Sequence, residues 1–318
     1  MLFRSDPIYQ YDRQLISTSG DVFTLEPVYW MDAQTGEPAK IGGSYEPWIQ
    51  WYFDSLYSDG FGLSFAFAQV GQENSFGWER IHGGLIKQLE YIKPKVESGE
   101  VEAMFLSEAG KWFSDNFEAS PPSTQVALRD FEGKHIQSVW FYCMHYRINI
   151  YIDGLSARIR DFHIYDEKYE GRYKNALCVT PNSQHDNLPI MNGLTWGEVE
   201  DRAGIYFCDE KGVKLQPTSV NYSEDENKKT AEITINFGNR KATACFSEDA
   251  IQLQLSDGIS LRFIAKQFGE DESLALRDEK TLVGVKNGFI YTLTLTQGRI
   301  VERQVFPENG RISIVFQK

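Results

Sequence analysis

The spacing of apolar residues divides the chain into two parts. Up to about residue 117, short apolar stretches alternate with segments in which apolar residues recur every three or four positions, the period of an amphipathic helix. The predicted strands of this part lie near residues 22–29, 62–69 and 101–106. Each is followed by a predicted helix, and right-handed crossovers would make the three strands neighbours in one parallel sheet.

The predicted helices have recognisable ends. The first runs roughly from Glu46 to Tyr57, the second begins at Trp78 and ends at Gly99, and Ser107 is a predicted N-cap for the third. Residues 63–68 are all apolar or small, which is typical of a strand that is covered on both faces, as in a parallel sheet.

From about residue 118 the pattern changes. The segment EASPPST (118–124) contains two prolines, and an alternation of period two follows it. The predicted strands are 138–142, 146–152, 157–165, 231–237, 242–246, 251–255, 260–265, 288–296 and 311–316. Turn signals such as Asp257-Gly258 and Asn309-Gly310 separate them, and many short strands of this kind indicate a β-sandwich. We predict a solvated loop at Ser223–Lys229 (SEDENKK).

Composition and charge narrow the class of protein. The 318 residues are long enough for two domains, and 42% are hydrophobic and 14% aromatic. The balance of 32 basic and 45 acidic residues gives a net charge of −13, which argues against nucleic acid or an anionic membrane as a partner. No apolar run reaches the length of a transmembrane helix. Many aromatic residues with an acidic balance fit a carbohydrate-handling protein.

The cysteines and the N-terminus give information about the cellular location of the protein. Cys143, Cys178, Cys208 and Cys245 lie far apart without metal-ligand spacing, so we expect buried free thiols. The first residues, MLFRSD, lack the features of a signal peptide. Leu-Phe-Arg-Ser is also what a common sequencing adapter encodes, so we expect the natural protein to continue upstream; a genuine start codon is the alternative. The location is left open, with the cytoplasm favoured, and the oligomeric state is left open too.

The stretch between Gly60 and Phe117 carries a resemblance. A strand, the loop QENSFGWE (72–79), a helix and a strand leading to SEAGKWF (107–113) resemble the last repeats of a glycoside hydrolase/polysaccharide deacetylase-type β/α-barrel, from a poorly characterised bacterial branch with an appended β-rich domain. The resemblance covers roughly residues 8–120.

The resemblance implies a fold and a division into domains. The fold class is α/β followed by all-β: residues 1–120 would be the C-terminal portion of a partial (β/α) barrel, truncated at its N-terminus. Residues 121–318 would form a β-sandwich-like domain with a small β layer at 125–170. The alternative is a complete chain whose three β/α units form a small open layer, but such a layer would leave a long exposed sheet edge.

The loop after the second predicted strand supplies the candidate catalytic residues. In β/α-barrels the active site lies at the carboxyl ends of the strands, which is where Glu73 would stand. Glu73 is a candidate general acid or base, or a ligand of a sugar hydroxyl; the alternative is a structural carboxylate that binds backbone amides. Glu26 is the second candidate, because two carboxylates across a barrel mouth are the arrangement of glycosidases.

Further residues of the same region are candidate substrate ligands. Gln72 and Asn74 could bind hydroxyl groups, and Trp78 could stack on a sugar ring; a core position is the alternative for Trp78. Tyr29 and Trp30 could line the same rim. Among the histidines, none has metal-ligand spacing, and His185-Asp186 is the polar cluster that stands out in the β-rich part.

These observations predict a function. The leading hypothesis is a fragment of a carbohydrate-active hydrolase that cleaves a glycosidic bond or a saccharide acyl group. The alternative is a non-catalytic saccharide-binding or structural protein with a degenerate barrel. An oligo- or polysaccharide is the expected partner. No cofactor is evident, and a divalent metal would depend on residues missing upstream.

Overall fold

A computed structural model describes residues 27, 35–38, 40, 42–57, 60–65, 77–131, 133–179, 186–193, 196–197, 202–266, 268–269 and 271–316. Three helices lie within this part of the chain: α1 (Glu46–Tyr57), α2 (Trp78–Glu97) and α3 (Leu106–Asn116). The helices predicted to begin near Glu46 and at Trp78 are confirmed. None of the described helices is long and apolar enough to cross a lipid bilayer.

Most of the other elements within the described residues are strands. They are β1 (Phe61–Gly62), β2 (Ser123–Ala127), β3 (Gln137–Tyr142), β4 (Tyr146–Ile152), β5 (Ala157–Ile164), β6 (Leu188–Asn192), β7 (Gly204–Cys208), β8 (Ser219–Asp225), β9 (Thr230–Phe237), β10 (Arg240–Ser247), β11 (Ala250–Leu255), β12 (Ser260–Ile264), β13 (Glu272–Asp278), β14 (Thr281–Lys286), β15 (Phe289–Gln297), β16 (Arg299–Val301), β17 (Gln304–Phe306) and β18 (Arg311–Val315). The strands predicted from residue 138 onward are confirmed, although several others were not predicted.

The strands form two antiparallel sheets. The ten-stranded sheet has the order β1-β2-β3-β4-β5-β7-β12-β17-β16, and β6 also pairs with β5. The eight-stranded sheet has the order β13-β14-β15-β18-β11-β10-β9-β8. Tight turns explain the hairpins: Asn287-Gly288, between β14 and β15, has φ angles of 50° and 80°, which suit a two-residue hairpin loop.

The inner faces of the two sheets enclose the main core. Ile148 and Phe162 of the ten-stranded sheet and Ile251 and Leu253 of the eight-stranded sheet are all buried in this layer. Tyr146 joins the sheets through its hydroxyl, which donates to the carbonyl of Ser247 at 2.7 Å. Burial of apolar surface, at about 25 cal/mol per Å², is the main force that holds the sheets together.

The outer face of the ten-stranded sheet is also covered in part. Trp48, Tyr52 and Phe53 of α1 pack with Ile136 and Tyr151 in a second apolar cluster. All seven residues of β4 and all eight of β5 are buried.

The prediction of a β/α-barrel followed by a sandwich is wrong. The second predicted strand is described only as β1, a two-residue strand that pairs antiparallel with β2, and residues 101–105 form no strand. Residues 22–26, 28–29 and 66–69 of the predicted strands lie outside the described residues. An apolar run indicates that residues are buried but does not indicate the direction of the strands. Phe65 is apolar because it packs against Phe113 of α3, and not because it lies in a parallel sheet.

Two local predictions are also corrected. The N-cap of α3 is Phe105 rather than Ser107, and the Phe105 N–H donates to the Glu108 carboxylate at 2.8 Å. Residues 223–225 belong to β8, where they pair with β9, and the predicted solvated loop is confined to the turn at 226–229. The domain boundary near residue 120 stays a prediction.

Candidate functional site

The predicted site residues lie mostly outside the described residues. These are Glu26, Tyr29, Trp30, Gln72, Glu73 and Asn74, and their roles stay predictions. Trp78 is the first residue of α2 and its side chain is 59% exposed. Its ring centroid lies 5.5 Å from that of His82, whose Nδ1 is 2.9 Å from the Trp78 carbonyl oxygen.

A cleft at one end of the ten-stranded sheet is the best candidate site in the described part of the chain. Its volume is about 480 Å³, within the range of about 300–1,000 Å³ that is usual for small-molecule sites. The carboxyl ends of β3 and β5, the start of β2 and the start of β6 meet there. Antiparallel pairing brings these strand ends and their loops together.

Aromatic side chains form part of the walls of the cleft. Phe65 lines it, and its ring centroid lies 5.2 Å from that of Phe113 in α3 and 5.5 Å from that of Phe117. Tyr142, the last residue of β3, and Tyr165, which follows β5, also line it. Tyr165 is 37% exposed, so part of its side chain meets solvent.

Polar groups also line the cleft. Glu118, Asp166, Glu167 and Asp186 line the cleft, together with the amide of Asn187. Within the described residues, no lysine or arginine lines it. The cleft therefore presents hydrogen-bond acceptors and negative charge beside aromatic surface.

Asp186 is tied into a network that fixes one wall. Its carboxylate accepts from Arg172 Nε at 2.8 Å and from Asn287 Nδ2 at 3.3 Å. Asn287 Nδ2 also donates to the hydroxyl of Tyr169 at 2.8 Å, and the Tyr169 ring packs on Phe289. This network connects the loop after β5 to the turn between β14 and β15. Asp186 therefore stabilises the wall of the cleft and also lines the cleft.

Gln125 of β2 is the unusual polar residue of the site. It lines the cleft and is only 4% exposed, and neither its amide oxygen nor its amide nitrogen has a hydrogen-bond partner in the described structure. Buried amides are normally paired, because an unpaired group costs about 1–3 kcal/mol. The Gln125 amide is therefore an unsatisfied polar group in the wall of the cleft.

A buried ionic cluster lies next to the cleft, on the outer face of the same sheet. Arg147 Nε and Asp161 Oδ1 are 2.8 Å apart, and His163 Nε2 is 3.3 Å from Asp161 Oδ2. Burial alone would raise the pKa of Asp161, but the charges of Arg147 and His163 outweigh it and hold that pKa well below its usual range. In the sheet register Arg147 lies beside Tyr142, so the cluster supports the strands that carry the cleft.

Further buried polar residues extend this face. Arg160 Nε donates to Asn149 Oδ1 at 2.8 Å, and Asn149 Nδ2 donates to the Ser138 hydroxyl at 2.8 Å. Arg158 Nη1 donates to the Tyr206 hydroxyl at 2.7 Å. These contacts join β3, β4, β5 and β7 and hold the sheet in one register.

The described residues give no sign of thiol or metal chemistry. Burial raises the pKa of the Cys143 thiol to about 12, so it stays protonated although it lines the cleft. Among the free cysteines, Cys143 and Cys208 are buried as expected, whereas Cys178 is exposed. No cluster of three or more histidine, cysteine or acidic side chains suited to a metal ion occurs in the described segments.

Sequence reasoning missed this cleft except at Asp186, which the His185-Asp186 cluster had singled out. Gln125, Tyr142 and Tyr165 stand in ordinary strand patterns, and the successive pairing of β2, β3, β4 and β5 brings them together. No local motif carries that information.

Comparisons with known proteins give little further information. No protein-family model and no curated protein matches the sequence. Among solved structures, the chain is similar to an active YidC insertase with its first transmembrane domain resolved, at 12% identity and a TM-score of 0.33. That similarity covers 66% of this chain and 44% of the insertase, so the chain spans less than half of that protein.

A second similar structure is the periplasmic domain of Thermotoga maritima YidC, at 12% identity and a TM-score of 0.26, covering 57% of this chain and 84% of that domain. Within the described residues, the chain forms two antiparallel sheets and three helices, without the parallel strands of a β/α-barrel. The resemblance to a glycoside hydrolase/polysaccharide deacetylase-type barrel is therefore wrong.

Proposed function

We propose that this protein is a non-catalytic saccharide-binding protein that holds its ligand in the cleft at the end of the ten-stranded sheet. The observation that carries the proposal is the buried, unpartnered amide of Gln125 beside the aromatic walls. Sugars combine apolar C–H faces, which stack on aromatic rings, with hydroxyl groups that need hydrogen-bond partners.

The cleft supplies both kinds of contact. The exposed ring of Tyr165 is a platform for one face of a pyranose. The amides of Gln125 and Asn187 and the hydroxyl of Ser123 are donors and acceptors for its hydroxyl groups. Polar groups at fixed positions beside the aromatic rings give the ligand one orientation.

Binding to a panel of neutral and charged oligosaccharides, measured by isothermal titration calorimetry, tests this proposal. We expect Tyr165→Ala to weaken binding about tenfold, because an aromatic contact contributes roughly 0.5–1.5 kcal/mol beyond its buried area. Tyr173→Ala is the matched control, since Tyr173 is 38% exposed against 37% for Tyr165 but does not line the cleft.

Two results would overturn the proposal. The first is that no saccharide binds at millimolar concentration. The second is that Tyr165→Ala and Tyr173→Ala bind equally well. Release of reducing sugar or of acetate from the panel, measured in parallel, would contradict the non-catalytic part of the proposal.

A further inference from the structure

The carboxylates of the cleft are not balanced by cations. Of the four that line it, Asp186 is paired with Arg172 at 2.8 Å. Glu118, Asp166 and Glu167 are exposed and form no ion pair within the described residues. Three carboxylates around one aromatic-walled cleft create a local negative field that attracts a cation.

The buried positive charge next to the cleft does not cancel this field. Arg147 lies beside Tyr142 in the sheet register, and the Asp161 carboxylate neutralises it at 2.8 Å. A ligand that enters the cleft therefore meets tyrosine rings and carboxylates that form no ion pair within the described residues, and both kinds of surface bind ammonium groups.

A second observation points to a ligand and not only to an acidic rim. The Gln125 side chain is more than nine-tenths buried, lines the same cleft and leaves both amide atoms without a protein partner in the described structure. A cation alone would satisfy the amide oxygen. The amide nitrogen also needs an acceptor, such as a hydroxyl oxygen.

We propose that the cleft takes a saccharide that carries a protonated amine. The hydroxyl groups of the ligand bind the Gln125 amide, and its ammonium group lies among Glu118, Asp166 and Glu167. The inference rests on the saccharide-binding function proposed above and narrows it to a class of ligand.

A matched pair of ligands tests the charge. Glucosamine tetramer and N-acetylglucosamine tetramer share a backbone, and only the first carries free amines, which are largely protonated at about pH 6. We expect the amino form to bind at least about tenfold more tightly at low salt. The ratio should fall toward one as the salt concentration rises, because exposed charges are screened.

Isosteric variants locate the charge. Glu167→Gln and Glu118→Gln should each weaken binding of the amino tetramer about three- to fivefold and leave the acetylated tetramer unaffected, as is usual for exposed ion pairs. Glu302→Gln is the control, because Glu302 is an exposed carboxylate between β16 and β17, at the other edge of the sheet. Gln125→Leu should weaken both tetramers.

The outcomes separate this inference from the broader proposal. If the acetylated tetramer binds as tightly as the amino tetramer, the inference fails and the saccharide-binding proposal stands. If neither tetramer nor any other saccharide binds, both fail. Tetralysine is the remaining probe: if it binds more tightly than every saccharide, the site recognises a cation without a sugar, and both are overturned.

Discussion

The two sheets of this molecule bury their strands in different ways. In strands β9 and β11 of the eight-stranded sheet, buried residues alternate with half-buried or exposed ones. One face of this sheet therefore meets solvent. In the ten-stranded sheet, every residue of β4 and β5 is buried. Its second face is covered too, and many of the side chains there are charged or carry amides.

The difference shows two ways to stabilise a strand. The inner face of the eight-stranded sheet contributes through apolar area removed from water, which needs no particular partner. The outer face of the ten-stranded sheet buries Arg147, Arg158 and Arg160 at 2% exposure or less. Buried charges require specific partners, so this face is far more sensitive to the loss of a single group. The cleft lies beside it.

Removal of the Asp161 charge should have the largest effect. Asp161→Asn leaves the guanidinium of Arg147 buried without a counter-charge, which costs about 3–5 kcal/mol of the free energy of unfolding. Equilibrium unfolding in urea at about pH 7 measures this loss. Asp271→Asn is the control: Asp271 contacts Arg172 at 3.5 Å in a partly exposed position, so its loss should stay under about 1 kcal/mol.

Truncation of an apolar side chain tests the other sheet. Leu253 is buried in β11, and Leu253→Ala should cost about 3 kcal/mol through lost burial and the cavity that remains. Its neighbour Gln252 is exposed on the opposite face, so Gln252→Ala should change the stability by no more than about 0.5 kcal/mol. Similar losses for the two variants in urea unfolding would mean that the outer face of this sheet is covered as well.

The same contrast explains which parts of the fold could be predicted. Strand β11, AIQLQL, shows its period directly, because one face meets solvent. Strands β6 and β7, LPIMN and GIYFC, are buried on both faces and carry no alternation, so they were missed. The run of small and apolar residues at 63–68 predicts burial, and Leu63 is indeed buried. Burial, however, does not determine the direction of a neighbouring strand.

The candidate site could be predicted far less well. Strand β5, ARIRDFHI, has the pattern of a half-exposed strand, because Arg158 and Arg160 alternate with apolar residues. Their burial depends on partners from other strands, namely Tyr206 of β7 and Asn149 of β4. Such pairings are set by the topology of the sheet, and the cleft beside them has the same origin.

Low pH should reduce the loss of unfolding free energy caused by Asp161→Asn in the ten-stranded sheet, but not the loss caused by Leu253→Ala in the eight-stranded sheet. The pKa of Asp161 is depressed in the folded state, so the ion pair contributes fully above the unfolded-state pKa of about 4 and is lost as the pH falls toward the folded-state pKa. The gap in unfolding free energy between the wild type and Asp161→Asn should therefore be largest above about pH 5 and shrink by on the order of 2 kcal/mol near pH 2. The gap for Leu253→Ala should stay constant over the same range, because no ionisable group is removed. Urea unfolding at a series of pH values measures both gaps, and an Asp161→Asn gap that does not change with pH would show that the ionised carboxylate is not what stabilises Arg147 in this face of the sheet.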